Sequence, residues 1–99
     1  MEKRVPHYLL KEIQVQMASV ATMNLTESAR IGIHEAGMAW SDALTVVQGL
    51  RHHDFYKSMT IRRDYRVWQD VYHSQWRDRA LYVKFQRAGE FFVVSFKEL

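Results

Sequence analysis

Between Phe55 and Lys97 the chain alternates apolar and polar positions in four runs, FYKSMT, VWQDVYHS, ALYVKFQ and EFFVVSFK. A strand sends successive side chains to opposite faces, so a period of two predicts four strands that bury one face and display the other. In the last three runs the oily parity takes Trp68 and Tyr72, then Leu81, Val83 and Phe85, then Phe92, Val94 and Phe96. The opposite parity takes Gln69 and His73, then Tyr82, Lys84 and Gln86, then Ser95 and Lys97. Laying the first run in phase puts Lys57 and Met59 on that polar face. Lysine, glutamine, tyrosine and histidine gathered on one open sheet surface are groups able to hold an anion and move protons.

The period changes in the first half. Leu9, Leu10, Ile13 and Met17 fall on one helical stripe, and Pro6 suits a first helical turn, where its missing N–H costs nothing. Thr26 predicts the N-cap of a second helix through Ala36, with Ala29, Ile33 and Ala36 as its apolar stripe and Gly37 as a left-handed C-cap. Ser41 predicts the N-cap of a third helix through Ala43, Leu44 and Val47 that Gly49 ends; the run Leu44 to Val47 also fits a strand. Arg62 to Asp64, Gln75 to Asp78 and Arg87 to Gly89 read as turns. Helices first and antiparallel strands after predict an α+β fold over residues 1–99 as one domain, about three helices covering the oily face of a twisted sheet.

Composition narrows the chemistry. The 99 residues carry a formal net charge of +3. Residues 1–50 hold four Lys/Arg against five Asp/Glu, a net of −1, and residues 51–99 hold ten against six, a net of +4. The basic excess thus lies on the strand half and favours polyanionic partners. Without cysteine there is neither a disulfide framework nor thiolate chemistry. The opening MEKRVPHYLL has no apolar run fit for a signal peptide or a membrane span, which predicts a cytoplasmic location.

Signatures of other classes are weak or missing. His52, His53 and Asp54, with His73 farther on, lack a metal-ligand spacing, and adjacent histidines on extended chain point to opposite sides. A two-histidine acid–base pair would have only His73 on the favoured face. Ser95 has no evident His/Asp partners, and there is no Gly-rich phosphate loop. The stretch RRDYRVW reads either as a solvated turn or as cations and rings for single-stranded RNA.

The opening MEKR with Pro6 and His7, the block DFYKSMT at 54–60, WQDVY at 68–72 and the tail VSFKE at 94–98 resemble the MqsR family of motility quorum-sensing regulator toxins. The similarity runs in order along the whole chain. It implies a RelE-like fold and an endoribonuclease, an mRNA interferase of a bacterial type II toxin–antitoxin system. That enzyme cuts single-stranded mRNA without a metal or small-molecule cofactor, at triplets beginning GC such as GCU. Its partner is an MqsA-like antitoxin. By motif the family's catalytic lysine, glutamine and tyrosine fall on Lys57, Gln69 and Tyr82, and its RNA-contacting methionine and lysine on Met59 and Lys97. Where relatives can carry arginine after WQDVY, this chain has His73. An imidazole is protonated only in part at neutral pH, so His73 is a weaker RNA contact than a guanidinium. The alternative function is an RNA- or ribosome-binding regulator that does not cut.

Overall fold

The computed structural model describes residues 1–99. The elements in order are β1 (Glu2–Lys3), α1 (Leu10–Gln16), a 3-10 turn (Val20–Thr22), α2 (Glu27–Glu35), α3 (Trp40–Gly49), a second 3-10 turn (His52–Asp54), β2 (Phe55–Thr60), β3 (Trp68–Trp76), β4 (Arg79–Ala88) and β5 (Phe91–Glu98). The five strands form one antiparallel sheet in the order β1-β2-β3-β4-β5. The α+β class expected from the sequence is therefore the observed one, and no helix is long and apolar enough to cross a membrane.

One apolar cluster joins helices and sheet. Leu10, Ile13 and Met17 from α1 and its end, Ala29 and Ile33 from α2, and Ala43, Val46 and Val47 from α3 meet Tyr72, Leu81, Val83, Phe85, Phe92, Val94 and Phe96. The oily parity of β3, β4 and β5 is thus the buried face. The Thr26 hydroxyl accepts from the Ala29 amide at 3.0 Å, and Gly37 takes φ +73° past the helix end, both as the sequence predicts.

Several local expectations are corrected. Pro6 does not open a helix: α1 starts at Leu10, Leu9 is its N-cap and 64% exposed, and residues 6–9 run across to the sheet. The third helix is capped at Ala39 rather than Ser41, because the Asp42 carboxylate reaches back to accept from the Ala39 amide at 2.8 Å. Leu44 to Val47 is helix, which removes the strand reading. Pairing between β3 and β4 persists to Trp76↔Arg79, so the turn is only Arg77–Asp78, with Arg77 at φ +57° and its guanidinium over the Trp76 ring at 4.5 Å. Pairing between β4 and β5 likewise runs to Ala88↔Phe91, which leaves Gly89, at φ +66°, and Glu90 to make that turn. The strand β1 has no signature in the alternation, since two residues are too few to show a period.

Asp70 and Ser58 are the polar exceptions on the buried face, and both are fully enclosed. The Asp70 carboxylate accepts from the amides of His7, at 3.1 and 3.0 Å, and Tyr8, at 2.9 Å, and from the Ser58 hydroxyl at 2.6 Å. These bonds tie the segment after β1 to the middle of the sheet. They explain why Pro6 and His7 stay outside a helix, the chain bending at His7 and Tyr8 instead.

Tyr72 is also fully enclosed, and its hydroxyl has no hydrogen-bond partner. Burial pushes its pKa up to about 12. An unpaired buried hydroxyl costs free energy, so Tyr72→Phe is expected to stabilise the fold by about 1 kcal/mol at neutral pH. The phenol ionises near pH 10 in the unfolded chain and near 12 in the folded one. Its contribution to stability is therefore complete below pH 10 and is lost as pH rises towards 12. Thermal melts across that range check both points: the variant melts higher at pH 7 and declines less steeply between pH 10 and 12.

Candidate active site

Strand register decides which polar side chains meet. The pairs Met59↔Gln69, Gln69↔Gln86, Val71↔Lys84, His73↔Tyr82, Tyr82↔Lys97 and Lys84↔Ser95 lie across the uncovered face. A change of register occurs between Phe55 and Lys57, where three residues of β2 face two of β3. The extra residue is Tyr56. A bulge of this kind re-aims side chains locally. Here it lets Phe55 enter the buried side against Tyr72, at 5.5 Å between ring centroids, while Tyr56 and Lys57 both face the open side.

The open face has a depression of about 270 Å³ at its centre. Lys57 and Met59 from β2, Tyr82 and Lys84 from β4, and Lys97 from β5 surround it, with Tyr56 at its margin and Val71 beneath. Of the residues expected from the sequence, Lys57, Met59, Tyr82 and Lys97 are brought together. Gln69 shares the face, one step away beside Met59, and its amide donates to the Gln86 side chain at 3.0 Å. His73 lies beside the depression rather than in its lining. Its ring stacks on Tyr56 at 4.3 Å and meets the edge of Tyr82 at 5.0 Å, and its Nε2 is buried without a partner. His73 thus packs the two tyrosines at the edge of the depression.

Electrostatically the site is an anion trap. Three ammonium groups ring a small volume, and neither Lys84 nor Lys97 is among the ion-paired side chains. Lys57 is held by the Glu2 carboxylate of β1. The hydrogen bond to Glu2 raises the Lys57 pKa and keeps the group cationic, and the same contact lowers that of Glu2. An ammonium group held in this way is suited to hold phosphate oxygens as a point charge. The residues that motif reasoning missed are Glu2, Tyr56 and Lys84. Lys84 carries a signal in the alternation, being on the polar parity. Tyr56 is hidden by the bulge, and Glu2 by the brevity of β1.

The family model described as "Motility quorum-sensing regulator, toxin of MqsA" matches residues 5–98, and the chain belongs to this family. Among individual proteins, the mRNA interferase toxin MqsR of Escherichia coli (strain K12) is 36% identical over 98 residues, spanning 99% of each chain.

Proposed function

We propose that the lysine-ringed depression is the place where this protein, an endoribonuclease of the toxin class, cuts mRNA. The observation that carries the reading is the convergence of Lys57, Tyr82 and Lys97, from three different strands, on one open concavity. RNA supplies its own nucleophile. The 2′-hydroxyl attacks the adjacent phosphorus, the bond to the 5′-oxygen breaks, and the products are a 2′,3′-cyclic phosphate and a 5′-hydroxyl. The 2′-hydroxyl passes its proton to a solvent water, and one proton arrives at the departing oxygen. Lys57 and Lys97 hold the non-bridging oxygens, and Lys84 adds a third cation. Tyr82 gives or orients the proton at the leaving oxygen, its ring held by His73. Met59 offers a soft apolar surface to a base, and Gln69 hydrogen-bonds the ribose or phosphate next to it.

The reaction needs no metal or small-molecule cofactor, and its substrate is single-stranded mRNA with GC-beginning triplets such as GCU preferred. Residues 1–99 act as one domain in the cytoplasm, held in check by an MqsA-like antitoxin. The rival reading is a regulator that binds RNA or ribosomes without cutting. A defined mRNA incubated with purified protein and EDTA, with its ends mapped by primer extension, separates the two. New ends at a recurring triplet support cutting without metal; intact RNA in the presence of tight binding supports the rival.

A further inference from the structure

A second concavity adjoins the first. Tyr82, Lys84 and Lys97 also form one side of a groove of about 380 Å³ whose opposite wall is α2, where Ile31, Gly32 and Glu35 face it. Gly32 explains how the wall stands so near. A Cβ at this position would collide with the backbone carbonyl oxygen of Phe96, so the helix rests directly on β5. Ile31 is left 51% exposed, an apolar surface beside two lysines. Glu35, the last residue of α2, is exposed and absent from every ion pair, although Lys84 and Lys97 line the same groove.

Those groups match the parts of a nucleotide. Cations take phosphate, an apolar or aromatic surface takes the face of a base, and a carboxylate takes hydrogen-bond donors on its edge. An ionised carboxylate is acceptor-only. It repels phosphate, so a strand entering the groove turns its backbone to the lysines and its base towards α2. Among the four bases, guanine alone sets two N–H donors, at N1 and N2, side by side on one edge. Cytosine and adenine place an acceptor next to their single amino group, and uracil flanks its N3–H with two carbonyls.

We propose that this groove holds a nucleotide neighbouring the scissile phosphate and that Glu35 reads its base, favouring guanine. The proposal rests on the reading of the central depression as the place of cutting. It makes Glu35 a specificity-determining residue, separate from the groups that hold the reacting phosphate.

The test uses short single-stranded RNAs that differ only in the bases flanking one cleavage point, with kcat/KM measured for the native protein, Glu35→Gln and Glu27→Gln. Glu27 lies in the first turn of the same helix, away from the groove. The native protein and Glu27→Gln are expected to prefer guanine at one neighbouring position by about tenfold or more, as a bidentate contact provides. Glu35→Gln is expected to reduce that preference to about twofold, because its amide replaces one acceptor by a donor. An unchanged preference in Glu35→Gln, or no guanine preference in the native protein, overturns the proposal. Failure of the underlying reading looks different: Lys57→Ala would then cut every RNA in the series normally. A matching series with a 2′-deoxy residue at the cleavage point, followed by fluorescence anisotropy, reads the same preference as binding and does not depend on turnover.

Discussion

Lys57→Ala is expected to lower the single-turnover rate of RNA cutting by about 10²–10³-fold, as loss of one charge-stabilising donor at a reacting centre does. Three features make Lys57 the most exacting position. It belongs to the depression, it sits on the strand that the bulge re-aims, and Glu2 fixes both its charge and its direction. Glu2 stands partly in solvent, and ion pairs of that kind add little to stability. The variant should therefore melt close to the native protein. Tyr82→Phe is the companion, losing one oxygen and no packing. Rates on a defined RNA together with thermal melts decide the matter. Native-like cutting by both variants removes the catalytic assignment, and a loss of activity that follows unfolding makes Lys57 structural.

Asp70→Ala is expected to produce a loss of stability as large as that of truncating a core aromatic of the sheet. The carboxylate is wholly enclosed and accepts from two backbone amides and one hydroxyl. Removing it strands the buried Ser58 hydroxyl and the part-buried amides of His7 and Tyr8, and each unpaired group costs about 1–3 kcal/mol. A total of about 3–5 kcal/mol lowers the melting temperature by at least about 12 °C in a domain of this size. Asp70→Asn keeps one strong acceptor and should fall between the two. Because the bonds anchor residues 7 and 8, which follow β1, loosening them also frees the strand that carries Glu2. Activity is then expected to fall in Asp70→Asn by more than its modest loss of folded fraction explains. A melt showing less than about 1 kcal/mol lost in Asp70→Ala contradicts this account of the anchor.

What the sequence makes legible follows from the physics of each element. The strand period is strong because the middles of β3, β4 and β5 bury one face, and a one-residue slip in register would turn their apolar side chains outward. Lys57, Met59, Tyr82 and Lys97 could thus be placed on one surface from parity and motif alone. Thr26 and Gly37 were legible because caps act through local hydrogen bonds and positive φ. The cap at Ala39 was hidden, since its partner is the side chain of Asp42 three residues on. Pro6 misled because Asp70, far along the chain, takes the amides that follow it. The packing of His73 against two tyrosines, one of them delivered by a bulge, does not show in alternation. The wall that α2 raises beside β5 depends on Gly32 meeting a backbone carbonyl, a tertiary contact with no local signal.

Methionine methyl groups give the most direct view of where RNA sits. The chain has five, of which Met17, Met23 and Met38 are buried in the core, Met1 lies at the start of the chain, and Met59 lines the depression. With 13C-labelled methionine methyls and a single-stranded RNA blocked by a 2′-deoxy residue, the Met59 signal should move or broaden most, and Lys57→Ala should weaken that response. A Met59 signal that stays in place while saturating RNA is bound would put the substrate elsewhere on the molecule.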